Sequence, residues 1–276
     1  MTSVREPSVS GMFYPDDPDV LRKDVGIYLK GADVEPFTAG VCAIVSPHAG
    51  YVYSGPVAAY AYKAVSGLDF DTVIVIAPSH RVYFEGVALW EKGSFKTPLG
   101  SIGIDEHAAQ ELLKSSDAFI VNRDVHRGEH SLEVQLPFLQ YVFKDFLLLP
   151  LLMGAAGEEI YEKTAQSLER MIASSSRRFL IVASTDLSHY YPYTVAVKID
   201  AVTVEHLRNF DISGMMRDIS SEKAQACGAG PMITAMLASK KLGAQASRVL
   251  KYANSGDTSG DRSGVVGYVS AIFFER

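Results

Sequence analysis

The strongest constraint on the fold of this chain is a set of short runs in which apolar residues occupy nearly every position: Val41–Val45, Thr72–Ala77, Phe119–Val121, Phe146–Leu152 and Phe179–Ala183. A strand with one wet face alternates apolar and polar side chains, whereas a strand that is apolar throughout needs cover on both faces. Helical patterns between the runs supply that cover. Asp105 can cap Glu106–Ser115, where Ala108, Leu112 and Leu113 share a face, and Ile160, Thr164, Leu168, Met171 and Ile172 form a stripe through Glu158–Ser174. Ser131 can cap Leu132–Phe143, with Pro137 kinking that helix or ending its first turn. Asp200–Asn209 and Pro231–Leu242 also read as helices, and the tail returns to strands at Arg248–Ala253 and Val265–Phe274, joined by a loop over Asn254–Gly264. Between Gly86 and Ile104, turns at Lys92-Gly93 and Pro98-Leu99-Gly100 predict a small antiparallel meander. The expected fold class is α/β: a three-layer α/β/α sandwich around a mixed, largely parallel sheet, with a small β-hairpin insertion.

No internal repeat or low-complexity linker divides the 276 residues, so a single domain over 1–276 is the simplest organisation. A chain of this length buries roughly three-quarters of its unfolded surface and needs no covalent staple. Its two cysteines, Cys42 and Cys227, encode no disulfide framework, and Cys42 lies in an apolar run as a small core residue. With 26 basic against 32 acidic residues, the net charge of −6 argues against a nucleic-acid footprint. Runs such as Phe146–Met153 are too short to cross a bilayer, and the opening MTSVREPSVSGMFYPDD lacks the apolar stretch of a secretory leader. Cytoplasm is the expected location. A small-molecule or peptide ligand and a protein partner are compatible with these numbers; nucleic acid and membrane are not expected.

Reactive polar residues recur at the carboxyl ends of the strands. Val41–Val45 runs into Ser46-Pro47-His48-Ala49-Gly50-Tyr51, Thr72–Ala77 into Pro78-Ser79-His80-Arg81, and Phe179–Ala183 into Ser184-Thr185-Asp186-Leu187-Ser188-His189. Ligands of open α/β sheets collect there, because side chains from several strands converge. Neighbouring strands lie about 4.8 Å apart and a metal holds imidazole nitrogens at about 2.0–2.1 Å, so two rings leaning together from adjacent strand ends can meet one ion. His48 and His80 are therefore candidate metal ligands. Asp186 either closes a turn or orients an imidazole, and His189 can ligate or move protons near neutral pH. Cys227 precedes a helix whose first turn carries Pro231; it is either a thiolate stabilised by the helix N-terminus or a buried inert thiol. His130 either lines the pocket or caps a helix, His107 and His206 read as surface or packing residues, and His126 is open. Neither a GxSxG elbow, a P-loop, a GxGxxG fingerprint nor an HExxH pair occurs.

Read in order, the segments Gly11-Met12-Phe13-Tyr14-Pro15, SPHAGYVYSG (46–55), APSHR (77–81), EHSLEVQLPF (129–138), STDLSH (184–189), ACGAGP (226–231) and YANSGDTSGDRSGVVGY (252–268) resemble the Memo family. The resemblance implies a fold similar to class III extradiol dioxygenases, which use non-haem iron. By position it makes His48, His80 and Cys227 the metal-binding trio, with Asp186 and His189, the candidate catalytic groups, beside them; His130, Arg81 and Tyr51 are further candidate pocket residues. It also brings an association with iron and copper and with redox chemistry. The dioxygenases complete their site with two histidines and a carboxylate; a thiolate in the third place is a softer set, suited to copper(I), zinc or iron, and counts against catechol ring-opening.

Three functions follow as expectations. The first is an iron- or copper-dependent redox protein in which His189, oriented by Asp186, moves protons. The second is a metal-binding or carrier protein without turnover. The third is a peptide- or anion-binding module using the same pocket, as interaction of family members with phosphorylated peptides implies, with Arg81 pairing the anion.

Overall fold

The computed structural model describes residues 3–38 and 40–276; Met1, Thr2 and Ala39 lie outside the described residues. In chain order the first half comprises β1 (Val4–Arg5), α1 (Pro18–Gly31), β2 (Val41–Ser46), α2 (Tyr51–Ala64), β3 (Thr72–Pro78), β4 (Val87–Leu89), β5 (Ser94–Thr97), β6 (Gly100–Gly103), α3 (Glu106–Ser115), β7 (Phe119–Val121) and α4 (Arg123–Arg127). The second half comprises a 3₁₀ turn (Glu133–Gln135), α5 (Leu136–Val142), β8 (Leu147–Met153), α6 (Glu158–Ala173), β9 (Phe179–Ser184), β10 (His189–Tyr191), α7 (Tyr193–Asn209), α8 (Ile212–Ser220), α9 (Ala229–Lys241), β11 (Ala246–Asn254), α10 (Ser255–Ser259) and β12 (Val265–Phe274).

The main sheet has the order β10-β12-β2-β9-β3-β8-β4-β7, with β11 added on β12. Its centre, β2-β9-β3-β8, is parallel, while β12 against β2 and β4 against β8 are antiparallel. Each central strand feeds two cores. Ile44, Val73, Val75, Leu180 and Val182 pack in one apolar cluster with Leu21, Val25, Tyr62 and Phe138 of α1, α2 and α5. Their neighbours Ala43, Val45, Ile74, Ile76 and Ile181 pack in the other with Leu112, Leu168, Met171, Met232 and Met236 of α3, α6 and α9. Cover on both faces is why the strands read as unbroken apolar runs. The expected three-layer sandwich is present.

Several elements differ from expectation. β5 and β6 do form an antiparallel hairpin, but β4 leaves it for the main sheet, and β1 joins β5 in parallel to complete a separate three-stranded sheet. Gly93, at the turn into β5, has φ +95° and sits where a Cβ would lie 1.9 Å from the Ser3 carbonyl oxygen. The helix expected over Leu132–Phe143 is divided: a 3₁₀ turn precedes α5, whose first turn holds Pro137, and the Ser131 hydroxyl donates to Pro78 O instead of capping. Two early helices, α1 and α2, escaped the periodicity reading. The start of α1 carries a readable signal, Asp17 accepting from the backbone N–H of Asp19 and Val20 ahead of Pro18. By contrast, α2 is apolar on its open face as well, at Val52, Tyr53 and Tyr60, and shows no apolar stripe. The loop expected over Asn254–Gly264 contains α10, closed by a capping box between Asn254 and Asp257.

Candidate metal centre

β2, β9 and β3 lie side by side and point the same way, with Ser46 opposite Ser184 and Ile76 opposite Ala183. Their carboxyl ends therefore open on one edge, and the three polar turns read from the sequence meet there. The loop before α5 closes over them, because Ser131 donates to Pro78 O and accepts at its own carbonyl from Ser184 Oγ at 2.7 Å.

His48 is buried and held at its backbone N–H and both ring nitrogens. Its backbone N–H donates to Asp186 Oδ1 at 2.8 Å, its Nδ1 lies 2.8 Å from Ser184 Oγ, and its Nε2 lies 3.2 Å from Cys227 Sγ. His80 and His130 are organised by one carboxylate, Glu129, which is 1% exposed. Glu129 accepts from the His80 backbone N–H at 2.6 Å and from His80 Nδ1 at 3.0 Å. It also accepts from the backbone N–H of His130 at 2.9 Å and of Ser131 at 3.0 Å, with His130 Nδ1 at 3.2 Å. Burial works against its charge, but the bonds from His130, His80 and the backbone outweigh that and hold the carboxyl well below the usual range.

One ring nitrogen from each of His48, His80 and His130 lies within 4.8 Å of the others. Ring centroids stand 5.2 Å apart for His48 and His80, 5.5 Å for His48 and His130, and 4.9 Å for the stacked pair His80 and His130. Imidazole nitrogens on one tetrahedral ion are roughly 3.3 Å apart, so a small inward movement of the His80 and His130 rings toward buried His48 would complete a three-nitrogen site. The donor chemistry fits. Glu129 occupies the Nδ1 side of His80 and His130, leaving Nε2 as the lone-pair donor of each, the arrangement by which carboxylates orient metal-bound imidazoles. Burial, reinforced by the neighbouring His80 and His130 rings, keeps the His48 pKa well below its ordinary value, so that ring is neutral and ligand-competent at pH 7. The residues present can hold a metal ion.

The structure brings Cys227 to the edge of this cluster, against His48 alone. Its backbone N–H donates to Asp186 O at 3.1 Å and its sulfur accepts from Asp186 N at 3.3 Å. Burial, then the Asp186 charge, pushes the thiol upward, so it is a neutral S–H in the metal-free protein, not a thiolate stabilised by the helix N-terminus. Asp186 is near but does not orient His189, as the sequence reading expected: its Oδ1 holds the His48 backbone. Burial raises Asp186 to about 7 against the lowering effect of its bonds to the His48 and Ala49 backbone. His189 Nδ1 donates instead to Leu187 O at 2.8 Å, and burial lowers this imidazole despite that bond. His130 moves from pocket neighbour to one of the three clustered imidazoles, with the Phe13 ring 4.8 Å from it. Tyr51 lies beneath the pocket in the apolar core, its hydroxyl donating to Val134 O at 2.7 Å. Arg81 is exposed, its stem beside Gly128. His126, left open by the sequence, is a buried core residue bonded through Nε2 to Ala88 O. A cleft of about 460 Å³ adjoins the cluster; His130, Asp186 and His189 line it together with Phe13, Tyr53 and Tyr190.

Sequence reasoning missed Glu129, Ser184 and Gln135 as site residues. Ser184 stood visibly at a strand end; Glu129 and Gln135 gave no local sign, because the contacts that tie them to the site, Glu129 to His80 and Gln135 to Ser184, each span 49 residues.

The family profile described as Memo-like protein matches residues 5–272. A MEMO1 family protein of Methanosarcina mazei is 41% identical over 272 residues, covering 98% of both chains. One of Sulfolobus acidocaldarius is 37% identical over 283 residues, covering 98% of this chain and 99% of its own. Among solved structures, an uncharacterised protein from Escherichia coli K12 matches with a TM-score of 0.55 and 10% identity, over 84% of this chain and 99% of its own, a likeness of fold alone. With a matching profile along almost its whole length and relatives alike from end to end, this chain belongs to the Memo family.

Proposed function

We propose that the protein is a metal-dependent redox protein that holds one iron or copper ion at His48, His80 and His130, with Cys227 available beside His48, and acts on a small molecule in the adjoining cleft. The observation that carries this reading is the convergence of three imidazole nitrogens whose rings are each anchored at Nδ1 by a buried polar group. Iron or copper on such a set supplies one-electron chemistry and open coordination positions. Zinc would fit the nitrogens equally well but brings no redox step.

The chain's own groups supply binding and proton transfer. His189 donates from Nδ1 to Leu187 O, so its Nε2 is free to accept a proton from a molecule in the cleft. Asp186, raised to about 7 by burial, can hold or release a proton beside it. Phe13, Tyr53 and Tyr190 give the cleft an aromatic wall. Glu129, the nearest carboxylate to His80 and His130, is committed to orienting them, so a two-histidine-and-carboxylate ligand set and catechol ring-opening draw no support, even on a dioxygenase-like fold. The cleft carries Asp186 and Asp261 and neither lysine nor arginine, so recognition of an anionic peptide there draws none either.

The test is anaerobic reconstitution of protein purified without added metal. One iron or copper per chain is expected, lost in the His48→Ala/His80→Ala double variant, together with metal-dependent oxygen consumption on a panel of small reductants. Absence of binding would sink the proposal. Binding with stoichiometric release to an acceptor and no turnover would replace it with the carrier reading.

A further inference from the structure

Ser184 is fully buried at the end of β9 and does not line the cleft beside His130, yet it decides how His48 presents itself. Three groups surround its hydroxyl: Ser131 O at 2.7 Å, Gln135 Nε2 at 2.7 Å and His48 Nδ1 at 2.8 Å. A hydroxyl has one hydrogen and two lone pairs. A carbonyl oxygen can only accept, so the Ser131 contact takes the hydrogen. The Gln135 amide is itself fixed: its Oε1 accepts from Tyr62 OH at 2.5 Å, and its Nε2 also donates to Pro47 O at 3.0 Å, an atom that can only accept. Nε2 is therefore the NH₂ group, and it fills one lone pair of Ser184. Only the second lone pair remains for His48, and it requires the proton of the ring to be on Nδ1.

We propose that Ser184, oriented by Ser131 and Gln135, is a positioning residue that fixes His48 with its hydrogen on Nδ1 and its lone pair on Nε2, the nitrogen facing Cys227 and the metal centre. The opposite tautomer would aim an N–H at the place where an ion must bind. It would also leave Nδ1 and the Ser184 oxygen as two acceptors 2.8 Å apart with no hydrogen between them, a costly arrangement in a buried site. The relay thus runs from Tyr62 in the apolar core through Gln135 and Ser184 to the ligand nitrogen, and every hydrogen in it is assigned by an atom that can act in one way only. The use of Nε2 rests on the metal reading above; the tautomer does not.

The experiment uses the full chain, metal-free and labelled with ¹⁵N at histidine, with long-range ¹H–¹⁵N correlation at neutral pH and His48 assigned by its loss in His48→Gln. The expected His48 pattern is a protonated Nδ1 and a bare Nε2. Ser184→Ala is expected to release that preference and to weaken Zn²⁺ binding, measured by competition with a chromophoric chelator, about tenfold or more. Ser184→Thr, which keeps the hydroxyl, is expected to retain the wild-type pattern. A hydrogen on Nε2 in the wild-type spectrum would overturn the proposal, as would a Ser184→Ala protein with unchanged tautomer and affinity. The wild-type spectrum does not depend on Ser184→Ala, so the proposal is decided even if that variant does not fold. If wild type shows the expected tautomer but binds no Zn²⁺, the positioning of His48 stands and the metal reading fails.

Discussion

At the scale of single residues, the site depends on a carboxylate that no ligand would touch. Glu129 receives both imidazole Nδ1 groups and three backbone N–H groups from a position sealed from water. Glu129→Gln can accept at one oxygen only and brings two hydrogens of its own, so His80 and His130 lose their common anchor. Metal affinity is expected to fall about 10- to 100-fold, read by competition titration. A second residue sets an acid limit on stability. His126 is buried against Trp90 and Phe95, and burial, with Arg5 nearby, lowers it to about 3 despite its bond to Ala88 O. The unfolded chain takes up this proton near pH 6.5 and the folded protein does not, so stability falls as pH drops through the window from 6.5 to about 3. The slope from this one group is about 1.4 kcal/mol per pH unit. Urea unfolding of His126→Leu against wild type across that window should show a flatter limb; an unchanged slope would mean that His126 is not held neutral. Both residues were hard to read in the sequence for the same reason. His48, His80 and His189 were legible because each stands within a few residues of a strand end, whereas the link from Glu129 to His80 is made only by folding. Asp186 lines the cleft and holds the His48 backbone, not His189: adjacency in sequence favoured His189, and the sheet register brings His48.

At the scale of elements, the site is assembled by close approaches that only some residues permit. The loop between α8 and α9 delivers Cys227 to His48 by passing Gly228 over the end of β9, where a Cβ would lie 2.2 Å from Ser184 O. Neither the β9 carbonyl nor the helix it faces can retreat cheaply. Gly228→Ala is expected to destabilise by about 1–3 kcal/mol, measured by urea unfolding, and to move the sulfur away from His48. That second effect is visible as faster alkylation of Cys227 in the folded protein. Wild-type stability and alkylation rate would contradict this account of the loop. The strands were legible because both faces are covered. The helix α2 was not, since its open face carries the apolar Val52, Tyr53 and Tyr60 and so leaves no stripe, and Gly55 with Pro56 reads locally as a break. Gly55 is in fact where the Tyr28 ring of α1 comes close, 2.9 Å from a Cβ placed there.

At the scale of the whole molecule, a stretch remote in sequence closes the site from outside. Arg5 of β1 is fully buried. It pairs with Glu133 and donates to Glu129 O at 2.6 Å and His126 O at 3.0 Å, while Tyr14 OH reaches Glu133 at 2.5 Å. The segment that supplies Glu129, His130, Ser131 and Gln135 is therefore clamped between the chain's beginning and the parallel strands at its centre. A parallel sheet with both faces covered gives a rigid floor, and its carboxyl edge gathers residues from every third of the chain. No helix among the described residues is long and apolar enough to cross a membrane. The central claim is that one ion sits among His48, His80 and His130. X-ray absorption at the metal edge of anaerobically iron- or copper-loaded protein tests it most directly. The account predicts an imidazole shell near 2.0–2.1 Å that is lost in His80→Ala/His130→Ala; an ion bound without imidazole scattering, or an identical spectrum in the double variant, would contradict it.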